Sequence, residues 1–272
     1  MKSNKTGVLI VNLGTPDHYS VPDVRKYLRE FLMDGRVIDI PHFNRWLLVN
    51  LIIAPFRAPK SAKVYQELWT EKGSPLMFYG MEIEKKLQLD LGDDFIVKLG
   101  MRYQNPSIKT ALGYLKDSNI SSLIVLPLFP QYASATTGSI HQKVMEQIRE
   151  WENIPELHFI NGYCNNEGFI KAFAERAREK LKDKEFDLML FSYHGLPERQ
   201  ILKASVDNFC QLNDCCSTYG AHNQFCYRAQ CFETTRLLAK ELGIAKEKYQ
   251  VVFQSRLGKS PWIQPYADEV IR

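Results

Sequence analysis

The stretch LMLFSYHGLPER (residues 188–199) carries the pattern that decides the fold. A mostly apolar run leads up to His194, and Gly195 and Pro197 then end any regular structure. Short apolar runs bounded by turn-forming residues are typical of strands buried on both faces, and such strands belong to parallel sheets covered by helices. The stretch therefore predicts a buried parallel strand with an imidazole at its carboxyl end.

The same pattern recurs along the chain. It predicts five further strands: GVLIVNL (7–13), FIVKLGMRY (95–103), SLIVLPLF (122–129), ELHFING (156–162) and YQVVFQS (249–255). Amphipathic segments between strands predict helices: PSIKTALGYLKD (106–117), NEGFIKAFAERAREKLKD (166–183), with Phe169, Phe173 and Ala174 on its apolar face, and TTRLLAKELG (234–243). Strands that alternate with helices indicate an α/β fold of parallel sheets. A boundary near residues 150–155 predicts an N-terminal domain over 1–152 and a C-terminal domain over 153–272.

The segment FNRWLLVNLIIAPF (43–56) is unusually rich in bulky apolar side chains. It predicts a core helix, because most such runs are buried. The alternative interpretation is an exposed lip that contacts a hydrophobic ligand or a membrane surface.

Composition narrows the class of protein. The chain has 272 residues, 45% of them hydrophobic, and a net charge of +4 without a basic stripe, which argues against nucleic-acid binding. The N-terminus lacks a signal-peptide pattern, and the most apolar window, WLLVNLIIAPF (46–56), is too short to span a bilayer. We therefore expect a cytoplasmic protein whose six cysteines are reduced thiols or metal ligands.

Polar or turn-forming clusters follow most of the predicted strands: NLGTPD (12–17), MRYQNP (101–106), PQYASATTGS (130–139), HGLPER (194–199) and QSRLGKSPW (254–262). Ligands bind at the carboxyl ends of parallel strands, so these clusters predict one cleft. By itself ATTGS is interpreted as a helix-capping turn. The sequence lacks GxGxxG, GxSxG and a phosphate loop. From residue chemistry alone, His194 is a structural residue, a proton acceptor or a metal ligand.

Five of the six cysteines crowd one window, FCQLNDCCSTYGAHNQFCYRAQC (209–231): Cys210, Cys215, Cys216, Cys226 and Cys231. Their spacing lacks the paired CxxC of zinc ribbons. Thiolate ligands at irregular spacing favour an iron–sulfur cluster, which needs four of them, over zinc. Thiols without a metal are the remaining alternative.

Seven motifs in register resemble the ferrochelatase family: GVLIVNLGTPD (7–17), KSAKVYQELWTEKGSPL (60–76), GMRYQNPSIKTAL (100–112), LPLFPQYASATTGS (126–139), FSYHGLPER (191–199), YRAQCFETTRLLAKELG (227–243) and VVFQSRLGKSPWIQP (251–265). The resemblance implies two Rossmann-like chelatase domains, each with a parallel four-stranded sheet, and a porphyrin cleft. It also implies insertion of Fe²⁺ into protoporphyrin IX, the last step of haem synthesis.

The resemblance assigns roles to individual residues. His194 matches the family's active-site histidine, which acts as metal ligand, proton acceptor or both. Further residues match positions that line the porphyrin or iron pocket: Leu13, Arg102, Tyr132, Ser134, Thr136, Gln254, Ser255, Arg256 and Trp262. Some family members carry a 2Fe–2S cluster, for which the cysteine segment supplies four of its five thiols. Cys231 is the least diagnostic, because cluster-free relatives also have cysteine there. Adjacent Cys215 and Cys216 are poorly suited to bind one iron together, which leaves either of them as the other candidate non-ligand.

The resemblance also implies a family sequence that continues past PYADEVIR (265–272) with a further strand and an essential acidic residue, so the second domain is expected to be incomplete. Two other functions remain open at this point. One is a non-catalytic porphyrin or iron–sulfur binding module, and the other is a chelatase for another tetrapyrrole, such as coproporphyrin. Expected partners are protoporphyrin IX and ferrous iron, with peripheral contact at the inner face of a membrane, in a monomer or homodimer.

Overall fold

Four of the predicted strands form one parallel sheet in a computed structural model that describes residues 5–182, 184–256 and 260–272. The strands are β1 (Thr6–Gly14), β2 (Phe95–Tyr103), β3 (Ser122–Pro127) and β4 (Glu156–Phe159), in the spatial order β2-β1-β3-β4. Residues 1–4, Asp183 at the end of a predicted helix, and residues 257–259 of the predicted cluster QSRLGKSPW lie outside the described residues.

Strand β1 is buried on both of its faces. Leu9 and Val11 belong to a core cluster with the helices that follow β2 and β3. Val8 and Ile10 point to the opposite face and pack in a second cluster with Leu99. Side chains alternate across a strand, so a strand covered on both faces must be apolar throughout. This is why the β1 sequence lacks an alternating pattern.

The helices of this part of the chain are α1 (Val21–Leu32), α2 (His42–Leu47), α3 (Ala54–Leu68), α4 (Pro75–Leu91), α5 (Ile108–Asp117) and α6 (Ser139–Ile148), with π-helical turns at Leu48–Ile53 and Ser134–Gly138. Two begin at serine caps: Ser20 accepts a hydrogen bond from the Asp23 N–H at 3.3 Å, and Ser107 accepts one from the Thr110 N–H at 3.1 Å. Such caps pair backbone donors that a helix leaves open.

The apolar segment 43–56 is not a core helix. It spans α2, the π-helical turn and the start of α3, and large side chains along it are exposed: Phe43 (68%), Trp46 (44%), Leu51 (56%), Ile52 (57%) and Phe56 (74%). Val49 and Ala54 are the buried residues of the segment, and Val49 packs in the core cluster that also holds Ala58 and Ala62 of α3 and side chains of α1. We call residues 43–56 the apolar lip.

The remaining strands, β5 (Met189–His194) and β6 (Tyr249–Gln254), pair in parallel, with His194 opposite Gln254. Within the described residues this second sheet has two strands rather than the expected four. Its helices are α7 (Glu167–Leu181), α8 (Glu198–Lys203), α9 (Tyr227–Leu242) and α10 (Ala267–Val270). The predicted apolar face of α7 is partly wrong: Ala174 is buried, but Phe173 is 55% exposed and packs on Phe169 instead.

The chain divides into two compact units. The first holds the residues up to Phe129 with Ser134–Asn161, and the second holds Pro130–Ala133 with Gly162–Arg272. Strand β4, which follows the predicted boundary at residue 152, pairs with β3 in the first unit. The second unit also includes the four-residue segment Pro130–Ala133, which comes from the middle of the chain.

Candidate active site

His194 ends β5, and its side chain faces solvent. The Gly195 N–H donates to the Gln254 carbonyl oxygen at 2.8 Å, and the Tyr227 hydroxyl donates to the His194 carbonyl oxygen at 2.9 Å. Both bonds are made by the His194–Gly195 peptide group, so they fix the backbone that directly follows the imidazole. Nearby protein atoms also desolvate the ring, which lowers the pKa of His194. The imidazole is therefore mostly neutral at pH 7 and can accept a proton.

The turn after His194 needs a glycine because two groups pack against it. A Cβ on Gly195 would lie 3.0 Å from the Gln254 carbonyl oxygen and 3.2 Å from the Trp262 ring. The Trp262 ring centre lies 6.5 Å from that of His194, edge to face. His194, Gln254 and Trp262, which the sequence predicted as site residues, therefore lie together in the second unit.

Ser255 and Arg256 continue from β6. Ser255 has a φ of 69°, a left-handed backbone that turns the chain away from the strand. The exposed Arg256 guanidinium bonds to Asp268 at 2.8 Å and Glu269 at 3.1 Å, and it lies over the Tyr266 ring. Arg256 thus holds the C-terminal helix α10 against the loop that follows β6.

In the first unit, Leu13 and Arg102 lie near the carboxyl ends of β1 and β2. Leu13 is half-buried against the cluster that contains Tyr103. Gly14, the next residue, has a φ of 114°, and a Cβ there would lie 2.0 Å from the Tyr103 carbonyl oxygen. The NLGTP turn therefore depends on glycine for both its conformation and its closeness to β2.

Arg102 is held by a buried carboxylate. Its guanidinium lies 2.6 Å from Asp34, whose side chain is 7% exposed, and its Nε donates to the Ser139 hydroxyl at 2.6 Å. Asp34 also accepts hydrogen bonds from the Tyr103 hydroxyl, the Ser139 hydroxyl and the Arg36 N–H. Burial opposes ionisation of Asp34, but the Ser139 and backbone hydrogen bonds and the Arg102 charge together lower its pKa. Four donors thus converge on one carboxylate.

Asp34→Asn is expected to lower the free energy of unfolding by about 3 kcal/mol at pH 7, because it leaves a buried cation unpaired. Because the folded-state pKa of Asp34 is lowered, its stabilisation is complete above the ordinary value of 3.8 and disappears as the pH falls through the lowered pKa. The gap between parent and variant should therefore narrow below about pH 4 in urea titrations. The exposed Asp93→Asn is the matched control, and a gap independent of pH would contradict the assignment.

Ser134 and Thr136 lie in the π-helical turn before α6. The Arg36 guanidinium donates to the Ser134 hydroxyl at 2.9 Å and to Gln142 at 2.7 Å. Thr136 is half-buried. The interpretation of ATTGS as a helix cap is wrong, because α6 begins without a side-chain cap and the π-helical turn continues directly into it.

Four of the five clustered cysteines line one small cavity of the second unit, of about 10 Å³: Cys210, Cys215, Cys216 and Cys226. Cys226 precedes the first turn of α9. The Cys216 thiol donates a hydrogen bond to the Cys226 sulfur. This bond lowers the pKa of Cys226, and the N–H groups of Arg228 and Ala229 and the Arg228 charge lower it further. The same contact and burial raise the pKa of Cys216. Cys231, fully buried beside Tyr227, is not part of the cavity lining.

Comparison with known proteins decides the family. The model of the ferrochelatase family matches residues 5–272. Ferrochelatase from Coxiella burnetii (strain RSA 493 / Nine Mile phase I) is 47% identical over 274 residues, covering 99% of this chain and 75% of the relative. Ferrochelatase from Legionella pneumophila (strain Paris) is 48% identical over 266 residues, covering 98% of this chain and 78% of the relative. The chain belongs to the ferrochelatase family.

Membership confirms the resemblance, the α/β chelatase fold and the enzyme class. None of the described helices combines the length and apolar character needed to cross a membrane.

The cysteine segment of this ferrochelatase family member fits an iron–sulfur cluster by its chemistry. Four soft ligands line one cavity, and the first turn of α9 favours the thiolate form of Cys226. In the arrangement described for residues 5–182, 184–256 and 260–272, no three His, Cys, Asp or Glu side chains already surround one metal position.

Sequence reasoning missed two residues that organise these sites. Asp34 holds Arg102, and Asn223, 6% exposed, organises the cysteine segment. The Asn223 amide donates to the carbonyl oxygens of Cys215 at 3.0 Å and Thr218 at 2.7 Å, and its Oδ1 accepts from the Gly220 N–H at 2.9 Å. Neither residue stands in a recognisable motif, so a single sequence gives no signal for them.

Proposed function

We propose that this chain inserts Fe²⁺ into protoporphyrin IX, with His194 as proton acceptor and iron ligand. The observation that carries the proposal is the solvent-facing imidazole of His194 on a fixed turn beside Trp262. Partial desolvation lowers the pKa of this imidazole, which favours its role as a proton acceptor. Family membership supports the reaction. The non-catalytic module and the chelatase for another tetrapyrrole are not favoured.

The reaction sets clear demands on the protein. A flat porphyrin carries two pyrrole N–H groups that block metal entry, so the ring must bend until nitrogen lone pairs point out of its plane. Binding energy from the remote rim of the macrocycle can offset that distortion. Two protons must then leave, and a neutral imidazole accepts a proton efficiently near pH 7. Imidazole also binds ferrous iron, so His194 can deliver the metal substrate to the ring.

The other proposed site residues divide into two roles. Leu13, Tyr132 and Trp262 offer apolar or aromatic surface to the macrocycle. The polar residues Arg102, Ser134, Thr136, Gln254, Ser255 and Arg256 offer hydrogen-bond donors or acceptors, or orient neighbouring groups. Arginine is suited to propionates because its guanidinium can bind a carboxylate through two parallel bonds. Arg102 already has a carboxylate partner in Asp34, which supports an orienting role for it rather than propionate binding.

For the cysteine segment we propose a 2Fe–2S cluster held by Cys210, Cys215, Cys216 and Cys226. When bound, such a cluster supplies one-electron chemistry and a cross-link between the ligating residues. The shared cavity and the favoured Cys226 thiolate support this set. The buried position of Cys231 away from the cavity supports its exclusion.

Cys226→Ala is expected to abolish the visible charge-transfer absorption and the acid-labile sulfide of anaerobically purified protein. Cys231→Ala is the matched control within α9 and should keep both signals at the parent level. The measurements are absorption spectra and iron and sulfide content per chain. Parent protein without iron and sulfide, or loss of the cluster in Cys231→Ala with retention in Cys226→Ala, would contradict the proposed ligands.

We also propose that the apolar lip mediates peripheral contact with a membrane surface. Its exposed aromatic and aliphatic side chains support this, since amphipathic segments with Trp, Phe and Leu on one face insert at lipid headgroups. Co-sedimentation with phosphatidylglycerol vesicles should fall about tenfold when Phe43 and Phe56 are both changed to Asp. Equal sedimentation of the parent protein and the variant would contradict membrane contact through the apolar lip.

The function is tested directly by mixing the purified protein with Fe²⁺ and protoporphyrin IX without oxygen and measuring haem formation. Turnover of protoporphyrin in preference to coproporphyrin is the expected result. Tight porphyrin binding without metal insertion would instead support the non-catalytic module, and preference for coproporphyrin would support the other chelatase.

A further inference from the structure

Gln230, in the first turn of α9, links two segments of the second unit that lie far apart in sequence. Its Oε1 accepts from the Tyr132 N–H at 2.6 Å, across 98 positions of sequence, and its Nε2 donates to the Gln224 carbonyl oxygen at 2.6 Å. The side chain is 3% exposed. An amide side chain has one acceptor end and one donor end. The bond from Tyr132 therefore fixes which end of the Gln230 amide faces Gln224, and the bond to Gln224 fixes which end faces Tyr132.

The loop segment Pro130–Ala133 depends on contacts of this kind. The Pro130 carbonyl oxygen accepts from the Tyr163 N–H at 2.9 Å, and the Gln131 amide donates to the Thr234 hydroxyl at 3.0 Å. For Tyr132 the backbone partner is the Gln230 amide. A part-buried N–H group that loses its partner destabilises the conformation that buries it.

The other end of Gln230 reaches the cysteine segment at a well-defined point. Gln224 lies between Asn223, which organises the segment, and Phe225, whose ring lies 6.5 Å from that of Tyr132. The Gln224 carbonyl oxygen is thus placed by the same turn that places the backbone of Cys215. The direction of the Gln230 amide therefore depends on how the cysteine segment is folded.

We propose that Gln230 is a positioning residue that makes the placement of Tyr132 depend on the folded cysteine segment. Loosening of that segment, whether by mutation or by loss of a bound metal, then releases the Tyr132 backbone. The relevance of this coupling to turnover rests on the proposed function, in which Tyr132 contacts the porphyrin.

A double-mutant cycle read by amide hydrogen exchange tests the coupling in the substrate-free full chain. Gln230→Met removes both hydrogen bonds, and Asn223→Ala loosens the cysteine segment. Each single change should raise exchange of the peptide that contains Tyr132 about tenfold, and the double change should add nothing to the larger single effect. Effects that multiply in the double variant would overturn the proposal.

Gln230→Glu separates the two hydrogen bonds of Gln230 while keeping a side chain of the same size. When ionised, its carboxylate still accepts from the Tyr132 N–H but no longer donates to the Gln224 carbonyl oxygen. It should keep Tyr132 protected yet make that protection insensitive to Asn223→Ala. The exposed Gln211→Met is the matched control and should leave exchange unchanged.

Steady-state kinetics separate this inference from the proposed function. Gln230→Met should raise the porphyrin KM about tenfold while kcat stays within about twofold, the pattern for lost substrate positioning without lost chemistry. A chain without chelatase activity would leave the exchange result standing. An active chain whose exchange cycle is additive would refute the Gln230 link alone.

Discussion

His194→Ala is expected to lower kcat for iron insertion by about 10²–10⁴-fold, the contribution of a positioned general base. The imidazole lies at the end of β5 with its backbone held by Gln254 and Tyr227, so removing the ring should leave the fold intact. Porphyrin affinity, measured by absorbance titration, should change far less than kcat, because the rim of the macrocycle supplies most of the binding energy.

His158→Ala is the matched control, because His158 is also exposed on a strand but is not a proposed site residue. It should turn over like the parent protein. Equal activity of the His194 and His158 variants would show that another group takes the pyrrole protons.

Gly14→Ala is expected to destabilise the first unit by about 5 kcal/mol, enough to prevent folding of a marginally stable domain. A methyl group would lie 2.0 Å from the Tyr103 carbonyl oxygen, on a backbone whose φ of 114° already disfavours a side chain. Neither partner can move without breaking the β1–β2 ladder, since Gly14 pairs with Tyr103 in that ladder. Thermal unfolding and soluble yield measure the effect.

Gly113→Ala is the control for glycine replacement in the same unit. Gly113 lies inside α5, and a Cβ added there would meet no atom of a neighbouring element within 4 Å. Alanine there should stabilise the helix by about 1 kcal/mol, because glycine is a poor helix former. A Gly14→Ala protein that unfolds at the same temperature as the parent would contradict the steric argument.

The sequence predicted the parts of this fold that depend on local pattern. All six strands follow from apolar runs, because β1 and its neighbours are covered on both faces and tolerate few polar side chains. The position of His194 followed from the same logic. The lip was misjudged because an apolar run does not reveal which side chains face solvent. Val49 and Ala54 take its buried positions, and the largest side chains are exposed.

Contacts between residues distant in sequence could not be predicted. Asp34 and Arg102 are 68 positions apart, and Tyr132 and Gln230 are 98 apart. Hydrogen bonds of this kind depend on how loops are brought together after the strands pair, and neither partner carries a periodic or spacing signal. The role of a single polar residue such as Asn223 likewise appears only once its turn is folded.

The π-helical turn at Leu48–Ile53 determines how the two ends of the apolar lip are rotated about the helix axis relative to each other. A π-turn is equivalent to one residue inserted into an α-helix. Because five residues of π-helix turn the chain about as far as four residues of α-helix, the wider turn absorbs one residue and the flanking helical segments keep their relative rotation. The turn therefore lets Phe43 and Trp46 keep their exposure while Ala58 stays packed with the α1 side chains, although the segment carries one residue more than an unbroken α-helix would.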